Sequence, residues 1–228
     1  MRFSRVLKAP SLDERLSAAV RCFPVCDTGA DIGADHGKLA CWLLLNNRCN
    51  RMIVSDISAK ALKRAERLLD RHGLLHRVAL VCADGFVALS GDVQAVAVLG
   101  MGGDRIARML REAYRLGDAK LIVSPQSRHS VVRTALSLHG YAFENEHVVQ
   151  SAGRFYTVIE ATRGSARYSE KELYVGPVLR STASASVRDY LIWRRHVAGM
   201  DRRVAGERHV AWLTEAIEHE RDSFTDDM

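Results

Sequence analysis

The chain has 228 residues, 47% of them hydrophobic, and a formal net charge of +6 from 33 Lys and Arg against 27 Asp and Glu. That length suits one domain, or one domain with an appendage, and is enough to bury a core. No apolar run is long enough to span a membrane, and the opening MRFSRVLKAPSLDERL lacks the apolar stretch of a secretory signal. The expectation is a cytoplasmic protein without a membrane partner.

The elements follow in chain order. Residues Leu12 to Cys22 have helical spacing, with Ser11 placed to cap them. TGADIG reads as a short strand, followed by a glycine turn and a helix from about Lys38. RMIVSDIS is a β-branched strand closing on Asp56, and Ser58 can cap the helix AKALKRAERLLDRHG, which Gly73 ends. RVALVCADG and AVAVLGMGG are the third and fourth strands, DRIARMLREAYRL a helix, KLIVSPQ a fifth strand stopped by Pro125, and SVVRTALSLHG a helix. YAFENEHVVQ and RFYTVIEAT are two strands joined by the turn SAG. Strand and helix alternate, and the strands are almost continuously apolar, so the sheet is expected to be mainly parallel, doubly wound and helix-covered on both faces. A terminal antiparallel strand closes it. After Gly164 the strands stop and two long helices are expected, with little apolar surface between them. The division is residues 1–163 and an appended helical unit, 164–228.

Cysteine usage adds little chemistry. Five cysteines cannot all pair within one chain, and Cys22 and Cys26 lack a second Cys/His pair to complete a metal site. They read as buried thiols, and no metal is expected.

The stretch GADIGADHGKLA carries the chemistry. A glycine turn before a helix commonly binds phosphate, and a dinucleotide site has the spacing G-x-G-x-x-G. Here Asp31 and Asp35 are interleaved with Gly33 and Gly37. Two carboxylates beside a diphosphate would repel it by roughly 1 to 4 kcal/mol per close charge pair. They suit a ligand with a cationic end and no phosphate, and S-adenosyl-L-methionine has a sulfonium and an α-ammonium. Asp56 ends the second strand, where nucleoside-binding folds put a carboxylate for ribose hydroxyls. Asp84 ends the third, within reach of an adenine amino group. Strand-end aspartates are usually caps or turn formers, but three at successive strand ends line one edge of the sheet.

ADIGADHGKLA, VSDIS, CADGF, VLGMGGDRI and VSPQS together resemble the TrmK family, bacterial tRNA (adenine-22-N1)-methyltransferases. LDERLSAAV, GRFYTVIEATRG and YSEKELYVGPVL also match its pattern, so the likeness runs from about Leu12 past Leu179. The chain has Ser124-Pro125-Gln126 where that family usually has Gln-Pro-Asn, and Asp56 where it more often has Glu. The resemblance implies a class I methyltransferase domain with a Rossmann-like sheet, a coiled-coil-like helical C-terminal domain, S-adenosyl-L-methionine as donor, and transfer of its methyl group to N1 of adenine 22 of tRNA. Residues expected against the donor are Asp31, Gly33, Ala34, Asp35, His36, Gly37, Asp56, Ile57, Ala83, Asp84, Gly85 and Leu99. The loop Gly100, Met101, Gly102 and Gly103, with Gln126, is expected at the target base. His36 either touches a ligand or orients the turn. Phe155 and Tyr156 either stack a base or belong to the core.

The positive charge concentrates late in the chain. Arg188, Arg194, Arg195, Arg202 and Arg203, with Arg15 near the start, are expected to contact RNA phosphates, against the plainer reading of a solvated helix face; Arg15 could instead meet the donor's carboxylate. Three alternatives stay open: a methyltransferase acting on another RNA or a small molecule, which needs no basic appendage; an RNA-binding protein on a relic cofactor fold; and, more weakly, an NAD-dependent oxidoreductase. The oligomeric state is not legible.

Overall fold

The computed structural model describes residues 8–179, 184–200 and 204–225. A seven-stranded sheet forms the centre, in the order β3-β2-β1-β4-β5-β7-β6. The parallel strands are β1 (Cys26–Ile32), β2 (Cys49–Asp56), β3 (Val78–Cys82), β4 (Ala95–Met101) and β5 (Lys120–Pro125). The hairpin β6 (Tyr141–Ser151) and β7 (Arg154–Arg163) joins through β7, which runs antiparallel to β5. This is the doubly wound sheet with a closing antiparallel strand read from the sequence. The strand order reverses between β1 and β4, and the carboxyl ends flanking such a reversal form the ligand crevice of open α/β sheets.

Each face has its own apolar layer. Helices α1 (Glu14–Cys22), α2 (Lys38–Leu45) and α3 (Ala59–Arg71) bury Ala19, Leu43 and Leu69 on one side. Helices α4 (Gly103–Met109) and α5 (His129–Leu138) bury Ile106, Val132 and Leu136 on the other. Ser58 caps α3 by accepting from the Ala61 amide, as expected. Helix α1 starts two residues later than the pattern suggested, because Asp13, not Ser11, accepts from the Leu16 amide. The helix expected over DRIARMLREAYRL is α4 followed by a tighter 3₁₀ stretch, Leu110–Leu116, broken at Glu112 (φ −99°, ψ 22°).

The C-terminal helices are α6 (Glu170–Val175), α7 (Ala185–Gly199) and α8 (Val204–Thr225). Ser169 and Glu172 close a capping box at the start of α6. The expectation of little apolar surface here is corrected. Val175, Leu179, Val187, Leu191, Leu213 and Ile217 form a third core, with Val148 of β6 and Phe155 of β7 packed against it. The unit is therefore fixed to the sheet by burial. Beneath it, Arg133 of α5 and Glu146 of β6 form a fully buried ion pair, Nε to Oε1 2.5 Å. Glu146 also accepts from the Val178 and Leu179 amides, and Arg133 donates to the Leu173 and Tyr174 carbonyls.

The expected buried thiols are Cys22, Cys41 and Cys49; Cys26 is half-buried and Cys82 is exposed. Cys82 alternates outward on the edge strand β3, where only one neighbour covers it. The Cys22 thiol is pushed up to about 12, first by burial and then by Glu160. Its sulfur lies with His147 and Glu160 in a group whose ligand-type atoms are within 4.8 Å of one another. Lys120 and His147 already take both oxygens of Glu160.

Candidate active site

The crevice at the carboxyl ends of β1 and β4 is a cleft of about 340 Å³. Its wall combines Asp31, Gly33, Ala34, Asp35 and His36 from β1 and its turn, Leu99 and Gly100 from β4, Gln126 after β5, and Arg15 of α1. Sequence reasoning named all of these; Asp13, Leu16, Lys38 and Leu39 also line the cleft and were not named as site residues.

The turn answers why a glycine loop should carry acids. Gly33 (φ +75°) and Gly37 (φ +65°) are left-handed, a backbone that side chains rarely adopt. A Cβ on Gly33 would fall 2.1 Å from the Met101 methyl carbon, so the turn is packed against the β4 loop. The Gly33 and Ala34 amides both donate to the Ser55 carbonyl of β2, so these two turn amides are held by the sheet. Asp35 is paired with Arg64 and His36. Partial burial would raise its carboxyl, but those two partners hold it below its usual value. Its charge is spent on the turn.

Asp31 differs. It is 4% exposed, in the floor of the cleft. Burial pushes its carboxyl up to about 7, with Asp56 adding to the shift and Arg15 and the Ala40 amide opposing it. A buried acid poised near neutrality can take on its charge when a cation arrives. Asp56 accepts from the Asp35 amide (3.1 Å) and the Ser58 amide (2.8 Å). An ionised carboxylate has about four acceptor positions, so Asp56 retains capacity for hydroxyl groups. Asp84 is exposed, and Arg105 of α4 holds its Oδ1 at 2.9 Å. Ile57 follows β2 and is 54% exposed; Val87, in the 3₁₀ turn Gly85–Ala88 after β3, is equally so. The cleft is lined by Asp31 and Asp35 but not by Asp56, Ile57, Asp84 or Val87. Ala83 and Gly85 flank Asp84, and Gly85 (φ +64°) is buried against Met109.

The β4 loop divides by glycine. Gly100 (φ +74°) needs its backbone, and a Cβ there would lie 2.5 Å from Arg15 Nη1 and 3.7 Å from Gln126 Nε2. Gly103 is forced by packing, since its Cβ would meet the Ser127 carbonyl at 2.3 Å. Gly102 has neither demand: it is exposed, its φ is −65°, and a Cβ would find only Ser127 Oγ at 3.7 Å. The Gln126 amide donates to the Met101 carbonyl, tying this loop to the end of β5.

The expected RNA contacts separate. Arg15 lies in the cleft, over the Tyr156 ring at 5.5 Å, apart from the C-terminal arginines. Arg194 is taken up internally, donating to the Val175 carbonyl (2.9 Å) beside the Tyr174 and Tyr190 rings. Arg188 is exposed and Arg195 half-buried, and neither has an ion pair among the described residues. Arg202 and Arg203 lie outside the described residues. No described helix is long and apolar enough to cross a membrane.

Residues 29–218 match the family described as "TrmK: tRNA (adenine(22)-N(1))-methyltransferase". A Bacillus subtilis protein named tRNA (adenine(22)-N(1))-methyltransferase is 30% identical over 183 residues, 76% of this chain and 77% of its own length. Among solved structures, a Streptococcus pneumoniae protein in complex with S-adenosyl-L-methionine superposes with a TM-score of 0.85 at 22% identity, over 91% of this chain and all of that one. The TrmK of M. capricolum with S-adenosyl-homocysteine gives 0.75 at 20% identity, over 93% and 97%.

Proposed function

The chain belongs to the TrmK family of tRNA (adenine(22)-N(1))-methyltransferases, and from that premise we propose how its residues carry the reaction: methyl transfer from S-adenosyl-L-methionine to N1 of adenine 22 in tRNA. The observation that carries this reading is Asp31, a buried carboxyl facing a cleft whose other wall is Gly100 and Gln126.

The donor fits the residues present. Asp31 faces its ammonium, Asp56 its ribose hydroxyls and Asp84 its adenine amino group, with Ile57 and Val87 against the ring and Arg15 toward its carboxylate. Bound there, the donor supplies an electrophilic methyl group on a sulfonium. N1 of neutral adenine already carries a lone pair, so no side chain has to remove a proton first. The protein's task is to take the base out of its stack, exclude water and align the partners. Gly100, Gly102 and the Gln126 side-chain carboxamide border the place where the base edge arrives. Residues 1–163 hold the donor; the C-terminal unit, with Arg188 exposed and Arg195 half-buried, contacts the tRNA. A tRNA substrate places the enzyme in the cytoplasm. Mass spectrometry of nucleosides from tRNA incubated with enzyme and labelled donor tests the activity: 1-methyladenosine should appear, and should vanish when adenine 22 is replaced by guanine.

Two predictions test the donor site. Asp56→Ala should weaken S-adenosylhomocysteine by about 1.5 to 3 kcal/mol, the worth of a hydrogen bond to a charged group; calorimetry giving unchanged affinity would remove Asp56 from the site. The second concerns pH. An unfolded Asp titrates near 3.9, and Asp31 in the folded protein near 7. Between those values the folded chain holds a proton that the unfolded chain has lost, so Asp31 makes stability fall as pH rises, by an amount on the order of a few kcal/mol. A cationic ligand reverses the preference. S-adenosylhomocysteine should bind more tightly as pH rises from 6 to 7.5 and release a proton on binding, measured by calorimetry in buffers of different ionisation enthalpy. Asp31→Asn should abolish that release; release surviving in Asp31→Asn would assign it elsewhere.

A further inference from the structure

Beside the donor cleft lies a second hollow of about 460 Å³, lined by Gln126, Gly153, Arg154, Phe155, Tyr156 and Trp193. It shares Gln126 with the cleft, and Arg15 connects the two by lining one and lying over Tyr156 in the other. One wall is the β6–β7 turn, where Ala152 (φ +48°) and Gly153 (φ +74°) reverse the chain tightly. The other is Trp193 of α7, from the C-terminal unit.

Trp193 is 46% exposed yet held from behind. Its ring lies 6.0 Å from Tyr190 at an interplanar angle of 26°, and 5.8 Å from Phe155. Tyr190 is itself buried. A large aromatic braced by two other rings and nearly half exposed can act as a stacking platform for a planar ring. Arg154 stands on the rim, exposed and without an ion pair among the described residues, where it can meet a phosphate. No carboxylate lines the hollow. An aromatic floor, one open cation and an amide at the inner end match an unstacked nucleotide: ring on the aromatics, phosphate on the cation, base edge at the amide.

We propose that this hollow receives the flipped-out adenosine of the tRNA, stacked against Trp193 with its phosphate at Arg154 and its edge reaching Gln126 and the donor cleft. Trp193 and Arg154 are then substrate-binding residues, and α7 completes the active site as well as carrying distant phosphate contacts. This inference rests on the tRNA-methyltransferase reading, and the experiment separates the two.

Trp193→Ala, Trp193→Phe and Arg154→Ala are compared with the wild type in methylation of a tRNA transcript, with S-adenosylhomocysteine affinity as the control for folding and the donor site. Stacking on one aromatic side chain is worth about 1 to 3 kcal/mol per base, so Trp193→Ala should lower kcat/KM by roughly 5- to 150-fold. Trp193→Phe should recover most of that. Arg154→Ala should raise KM and reduce the salt slope of tRNA binding by about one. S-adenosylhomocysteine affinity should not move in any of them. A wild type that methylates tRNA while Trp193→Ala and Arg154→Ala match its kcat/KM overturns the hollow and leaves the family reading standing. Trp193→Phe as slow as Trp193→Ala would overturn it too, since a second aromatic ring would then fail to replace the first. A wild type that leaves tRNA unmethylated overturns the reading on which both rest.

Discussion

Replacing Gly102 by valine is expected to slow single-turnover methylation of a tRNA transcript by 10²-fold or more, while S-adenosylhomocysteine still binds as it does to the wild type. The three glycines of the β4 loop look alike in sequence, but the fold explains only two of them. Gly100 is required by its left-handed backbone and by Arg15, and Gly103 by the Ser127 carbonyl. At Gly102 the backbone is one any residue adopts, and a Cβ has room. Valine there should cost the fold about 1 kcal/mol, the difference between a tolerated and a poor residue at a helix N-cap.

Any larger effect must then come from what approaches from outside, and displacing a reacting group by about 1 Å can cost 10²-fold. Gly102→Ala should fall between the wild type and valine. Gly103→Ala is the contrasting control, because it drives a side chain into backbone and should lower the melting temperature. Wild-type turnover by Gly102→Val would mean the base enters along another edge, and loss of S-adenosylhomocysteine binding would mean the loop supports the donor instead.

The acids of the candidate donor site stood out in the sequence because they sit where strand patterns give way to turn residues. Asp31 stands one residue before the end of β1, Asp56 ends β2 and Asp84 follows β3 by two residues, and the sheet's order brings those strand ends to one edge. What sequence could not rank is the division of labour among acids. Asp31 and Asp35 are four residues apart, yet one is buried and free to face a ligand while the other is neutralised by Arg64, 29 residues on. The C-terminal unit was less legible for a related reason. Its arginines read as a single basic run, but helical phase turns Arg194 inward to a carbonyl and two rings while Arg188 faces out. Trp193 escaped notice because one exposed aromatic in a helix has no period, and its meaning depends on the β6–β7 turn that comes to lie beside it. The least legible feature was the Arg133–Glu146 pair, which with its backbone partners joins three stretches distant in sequence, α5, β6 and residues 173–179.

Breaking that pair should have the largest effect on stability in the molecule. Glu146→Gln leaves the Arg133 guanidinium buried without its counter-charge, which typically costs 3 to 5 kcal/mol, read as a fall in the urea midpoint with an unchanged slope. Replacing a buried ion pair by apolar residues of similar volume is often neutral, and the double variant Arg133→Met/Glu146→Leu would be so if the two charges served only each other. Here they also satisfy the backbone leading into α7: Glu146 accepts from the Val178 and Leu179 amides, and Arg133 donates to the Leu173 and Tyr174 carbonyls. Each buried group left unpaired costs about 1 to 3 kcal/mol, so the double variant should remain destabilised, and limited proteolysis should cut it first between residues 164 and 180. The same bonds make truncation after Gly164 a poor probe of tRNA binding, because it strips these partners from a charge pair in the catalytic half. A truncated chain as stable as the full one, or a neutral double variant, would show that the pair does not clamp the C-terminal unit to the sheet.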